Sequence, residues 1–155
     1  MFKIETWENN PILRKVAEPV TKANWNQAVK LGKKMLSYIK DPDNGWIGLA
    51  APQIGQSIRL VVLGLPKTRE DENFRYHMMI NPEILEYGEE TDLDEEWCLS
   101  VPGVKWKVER PTKIKVSFYD EKNKQNTLLL EWLPARIVQH EFDHINWKLF
   151  IDYLK

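Results

Sequence analysis

A chain of 155 residues has room for one domain with a substantial core and little room for two. Its 43% hydrophobic and 29% charged residues, with 7 glycines and 9 prolines, exclude disordered, collagen-like and fibrous classes. The 22 Lys and Arg face 23 Asp and Glu and are scattered among them, so direct nucleic-acid binding by counterion release is not expected.

Residues 9–20, with two prolines and no sustained period, read as an extended arm with turns that wraps the body. From Asn24 to Lys40 apolar residues recur at three-to-four spacing until Asp41-Pro42 stops them, which predicts a helix. After turn chemistry at Asp43-Asn44-Gly45 and the stretch 46–55, the β-branched run Ile58 to Leu63 predicts a strand. The charge-dense Lys67 to Arg75 reads as a solvated loop with no function of its own. Shorter strands are expected at 78–80, 84–87, 112–119 and 127–132, paired antiparallel, with 121–124 as one hairpin turn. Pro134 suits the first turn of a second helix running to about Leu149.

Helices and strands are therefore segregated, which is the α+β class. No repeat, linker or low-complexity tract marks a boundary, so residues 1–155 are expected to form a single domain. No apolar run approaches the roughly 20 residues of a spanning helix, and no membrane association is expected. The chain opens with Met1-Phe2-Lys3-Ile4-Glu5, without the basic and apolar regions of a secretory signal, and its one cysteine excludes an intramolecular disulfide. The expected setting is reducing and intracellular.

The second helix carries His140-Glu141-Phe142-Asp143-His144. Two histidines four apart project from one helical face and can share a metal ion, with Glu141 beside them to handle a proton. The alternative is a helix whose histidines face solvent. A third ligand cannot come from a downstream H-x-x-G-x-x-H continuation, because those positions hold Trp147 and Phe150. No glutamate follows His144 either, which argues against a general HExxH peptidase and sends the search upstream. The candidates are Cys98, His77 and several carboxylates, of which a thiolate is the strongest partner for a borderline-soft ion. A lone cysteine is, however, more often a small buried apolar residue. Cys98 stands in a short segment, 95–103, that closes in a turn and can approach the helix. The small-residue stretch 48–55 lets backbone come close to a ligand and offers the Gln53 amide as a donor to an oxyanion.

Three segments, in order, resemble the signature motifs of the peptide deformylases: 46–53 (WIGLAAPQ) against G-x-G-L-A-A-x-Q, 96–100 (EWCLS) against E-G-C-L-S, and 139–144 (QHEFDH) against Q-H-E-x-D-H. The likeness extends to Asn10-Pro11-Ile12-Leu13-Arg14 and to 148–152, nearly the whole chain. The resemblance implies an α+β fold of antiparallel sheets around a central HExxH helix, with an N-terminal helix. It implies a hydrolase that removes the formyl group from N-formylmethionine on nascent polypeptides, releasing formate. By motif position Cys98, His140 and His144 would hold the metal and Glu141 would be the acid/base. Gln53 and the backbone N–H of Leu99 would receive the oxyanion, and Trp46, Ile47, Gly48, Glu96 and Trp97 would contact substrate. Fe(2+) is the cofactor the family favours, with Zn(2+), Ni(2+) or Co(2+) in purified protein. The partners implied are N-formylated nascent peptides, with a transient ribosome contact left open, and the absence of a long apolar seam points to a monomer. The setting implied is the cytoplasm, that of a host cell if phage-encoded, or an organelle if a transit peptide was removed.

Three glycines of the family pattern are tryptophan in this chain: Trp46, Trp97 and Trp147. A one-residue register difference would let Gly45 replace the first. A positive φ at 97 would make tryptophan costly there; an ordinary φ would let the indole roof the groove. Trp46 and Trp97 are expected to flank the pocket, and Trp147 to occupy a neighbouring face of the second helix. The alternative readings are three indoles packed as rim elements, and a metal-binding relative that holds peptides without hydrolysing them. Lys105 reads as an exposed lysine and His77 as structural.

Overall fold

The structure is a computed structural model describing residues 1–68 and 70–154. Its elements in chain order are α1 (Trp25–Lys40), β1 (Gly48–Ala50), β2 (Leu60–Leu65), β3 (Arg75–Tyr87), β4 (Thr91–Cys98), β5 (Val101–Pro111), β6 (Lys113–Tyr119), β7 (Gln125–Glu131) and α2 (Leu133–Ile145). One-turn 3₁₀ segments follow β1 at Ala51–Ile54 and close the chain at Phe150–Leu154. The architecture is α+β, as expected.

A five-stranded antiparallel sheet in the order β1-β2-β3-β6-β7 forms the middle layer. The sequence of β2, Leu60-Val61-Val62-Leu63-Gly64-Leu65, is apolar without alternation because both faces are covered. Leu60 and Val62 pack with Ala28, Met35 and Ile39 of α1. Val61, Leu63 and Leu65 pack with Ala135, Ile137, Val138 and Ile145 of α2. The two helices thus sit on opposite faces, and α2, the HExxH helix, lies between the large sheet and a smaller one.

That smaller sheet, the β4–β5 hairpin, was not expected from the sequence. Its inward face mixes Asp92, Glu96 and Arg110 with Cys98 and Val108, and its outward face mixes Glu95, Lys105, Lys107 and Glu109 with Leu93 and Trp97. The usual alternation of apolar and polar residues is therefore missing from both strands. The expected strands 78–80 and 84–87 are one strand, β3. Asn81 has φ 50 and precedes Pro82, which breaks the pattern locally, while its side chain exchanges two hydrogen bonds with the backbone of Val20 at 2.8 and 2.9 Å. The arm 9–20 does wrap the body: Ala17 N–H donates to Ile145 O at 3.0 Å, and Arg14 pairs with Asp152. Of the expected loop 67–75, residue 69 lies outside the described residues; Phe74 turns inward and the rest is mostly exposed.

The second helix ends at Ile145, four residues before the expected Leu149. Lys148 N–H and Asn146 N–H both return to Asp143 O, at 3.0 and 2.9 Å, and Trp147 sits between them at φ 62. This is a Schellman stop, with Trp147 at the left-handed position that glycine ordinarily fills. Leu149 and Phe150 kept the apolar pattern alive past the true end because they pack against Cys98, Val101 and Val108. Trp147 therefore does not occupy a helical face. Since a β-carbon is strained at positive φ, Trp147→Gly is expected to be about 1 kcal/mol more stable than Trp147→Ala in urea unfolding, the reverse of their ranking inside a helix.

Candidate metal centre and active-site cavity

Strand alternation and helix spacing together build the site. In β4, residues two apart share a face, so Asp92, Glu96 and Cys98 point at α2 while Trp97 points away. In α2, residues four apart share a face, so Arg136, His140 and His144 form one stripe opposite them. The two stripes meet. The ligand atoms of Cys98, His140 and His144 all lie within 4.8 Å of one another, and Cys98 Sγ is 3.2 Å from His144 Nε2.

Glu96 fixes this arrangement. Its carboxylate accepts from Arg110 Nε and from Arg110 Nη2 at 2.9 Å, from Arg136 Nη1 at 2.9 Å, and from His140 Nδ1 at 2.8 Å. Burial alone would push its carboxyl up, but Arg110 and His140 outweigh that and hold it well below the usual range. An ionised Glu96 makes His140 Nδ1 a donor, which turns Nε2 toward Cys98 and His144 as the nitrogen that can ligate once its proton gives way to a cation. The guanidinium groups are held in turn: Arg136 Nη2 donates to Asp92 Oδ1 at 2.6 Å, and Arg110 Nη1 to Asp143 Oδ2 at 2.9 Å. Glu96, expected to contact substrate, lines the cavity but has both oxygens engaged in this network.

Above the ligands opens a cavity of about 250 Å³ lined by Trp46, Gly48, Gln53, Trp97, Leu99, Glu141 and others. Ten of the eleven residues proposed from sequence line this cavity, and the eleventh, His144, is buried behind it against Cys98. Phe74, Leu133, Arg136 and Ile137 also line it and were not singled out; Leu133 and Ile137 could have been, from their helical spacing with Glu141. Gln53 Oε1 accepts from Ala50 N–H at 2.8 Å, and its Nε2 points at Cys98 Sγ (3.5 Å) and Ser100 Oγ (3.2 Å). The N-terminal segment ahead of the arm steadies both turns: Glu5 N–H donates to Gln53 O and Trp7 N–H to Ser100 O, each at 2.7 Å. Among the described residues, Glu141 Oε2 is buried without a hydrogen-bond partner, and burial pushes its carboxyl up to about 7. Gly48 packs directly on it; a β-carbon there would fall 2.9 Å from Glu141 Cδ. Neither Trp46 nor Trp97 has a positive φ, so neither is strained, while Gly45 does, at 64. Lys105 is exposed with its Nζ 5.1 Å from the Trp97 ring centre. His77 lies in β3, packs its ring at a steep angle to Phe118, and is not part of the Cys98, His140 and His144 group. Trp147 is not among the cavity's walls.

The donor set fits a divalent transition ion: one sulfur and two imidazoles, nearly buried and convergent. Burial, with His140 adding to it, holds His144 well below its ordinary value and therefore neutral, the form that ligates. At His140 burial also lowers the value, yet Cys98 and Glu96 outweigh it and draw positive charge to the site.

The profile of the family described as polypeptide deformylase matches residues 1–155. The chain belongs to the polypeptide deformylase family. It is 43% identical over 145 residues to the peptide deformylase of Mesorhizobium japonicum, covering 94% of this chain and 80% of that protein. The crystal structure of a probable peptide deformylase from synechococcus phage S-SSM7 is 38% identical with a TM-score of 0.84, covering 99% of each chain. A class I type b peptide deformylase from Acinetobacter baumannii, crystallised with Met-Ala-Ser bound, is 31% identical with a TM-score of 0.83, covering 99% of this chain and 98% of that one. Deformylases are metal-dependent amide hydrolases, and this chain is one of them.

Because Glu96 balances two buried guanidinium groups, Glu96→Gln is expected to lower unfolding free energy by about 3–5 kcal/mol in urea titration. The exposed pair partner Glu86, changed to Gln, is expected to move it by less than about 1 kcal/mol.

Proposed function

We propose that residues 1–155 act as one domain that removes the formyl group from N-formylmethionine at the start of nascent polypeptides, releasing formate, in the cytoplasm. The observation that carries this reading is the convergence on one cavity of three ligating side chains, a buried carboxylate and an amide donor. The product-like Met-Ala-Ser bound to the Acinetobacter relative supports methionine as the first residue.

Cys98, His140 and His144 would hold the ion, with Fe(2+) as the cellular metal and Zn(2+), Ni(2+) or Co(2+) accepted by the same donors. A divalent ion bound there supplies Lewis acidity and brings the pKa of water at the centre near neutrality. Glu141 takes the proton of the attacking water and returns it to the leaving amine. Gln53 Nε2, turned from its present contacts, and the Leu99 N–H donate to the formyl oxygen as it gains charge; losing one such donor costs on the order of 100- to 1000-fold in rate. Trp46, Ile47, Gly48 and Trp97 form the substrate walls, with Leu133 and Ile137 giving the methionine side chain an apolar seat. The close packing of Gly48 on Glu141 leaves little room beside the reacting carbon, which favours formyl over the bulkier acetyl.

The test is formate release from formyl-Met-Ala-Ser by protein prepared anaerobically with Fe(II). Glu141→Ala is expected to lower kcat by about 100- to 10,000-fold while retaining the metal, and chelation is expected to abolish turnover. A Glu141→Ala protein within about tenfold of wild type would contradict the assignment, as would peptide binding without turnover.

A further inference from the structure

Two indoles stand at the mouth of the cavity on different elements. Trp46 precedes β1 and Trp97 lies in β4, and each of these strands is outermost in its sheet. The cavity therefore opens between two strand edges, and an extended chain leaving it passes between them.

Trp97 is 47% exposed although it borders an apolar cavity. An indole serving stability alone gains more inside, since each Å² left in water forfeits about 25 cal/mol. It lies in β4 without a positive φ, and the alternation that points Glu96 and Cys98 inward turns it outward. Lys105, its cross-strand partner, covers one ring face with a cation and steadies it. Phe74 and Pro66 add further apolar surface to the same cavity. A half-exposed tryptophan held beside a cleft, as Trp97 is, is suited to contact with a partner.

We propose that Trp97, together with Trp46, sets specificity by packing against the side chain of the residue that follows formylmethionine, so that formyl peptides with an aromatic or large aliphatic second residue are preferred. This rests on the deformylase reading of the site. Chemistry gives the direction of the substrate. The formyl carbon must reach the floor beside Glu141, the methionine side chain takes the seat at Leu133 and Ile137, and the next residue lies about 3.4 Å further along the chain, toward the opening.

The experiment measures kcat and KM of the metal-loaded protein on formyl-Met-X-Ser with X as Ala, Phe or Asp. For wild type, KM with Phe is expected to be about 3- to 10-fold below that with Ala, the range of an aromatic pair. Trp97→Phe keeps the preference, and Trp97→Gly, or Trp97→Ala should the glycine variant not fold, brings the two within about twofold. Trp106→Gly, which removes an exposed indole of the same hairpin outside the cavity, leaves the ratio unchanged. Equal KM values in wild type, or a preference that survives loss of the Trp97 ring, overturns the role of the lip. Absence of formate from every peptide overturns the deformylase reading itself, a separate result.

Discussion

A buried carboxylate joins the two halves of the site. Glu96 is 5% exposed and accepts hydrogen bonds from Arg110 of β5 and from Arg136 and His140 of α2. The small sheet is thereby fastened to the metal helix through charge, while Val101 and Val108 pack on Leu149 and Phe150 just beyond it. Cys98 follows Glu96 by two residues, so the fastening that orients His140 also delivers the sulfur to it. Ionic contact is an unusual way to dock a hairpin, because two charges taken out of water are expensive unless each is met. The requirement is satisfied: Asp92 and Asp143 complete the arginines, and Tyr153 O–H donates to Asp143 at 2.9 Å.

The same alternation separates the chemistry from the rim. Inward positions of β4 hold the ligand and its support, while the outward position between them holds Trp97. A change from glycine to tryptophan there alters the mouth of the cavity without backbone strain, since position 97 does not have a positive φ. Trp147 is a different case. It ends α2 in a left-handed conformation outside the cavity, and its consequences fall on stability rather than on the reaction.

What was legible in the sequence follows the range of the interaction responsible. His140 and His144 share a face by helix geometry alone, so five residues declare them. β2 was legible because burial on both faces leaves an unbroken apolar run. Cys98 could be nominated by its chemistry but not placed, because its approach depends on β4 and β5, whose inner face is charged and so hides the strand pattern. Glu96 was recognised as part of the site, yet its work of orienting His140 depends on Arg110 and Arg136, 14 and 40 residues away in sequence. The end of α2 was misplaced because Leu149 and Phe150 pack where further helix would have packed. Phe74 reaches the cavity from a charged loop that gives no sign of it.

The central claim is that one sulfur and two imidazoles hold a single ion. X-ray absorption at the metal edge of the zinc-loaded protein tests it most directly, because it counts neighbours without reference to turnover. The account predicts one sulfur at about 2.3 Å and two imidazole nitrogens at about 2.0–2.1 Å, with the sulfur shell lost in Cys98→Ser. A spectrum of nitrogen and oxygen neighbours alone in the unaltered protein would contradict it.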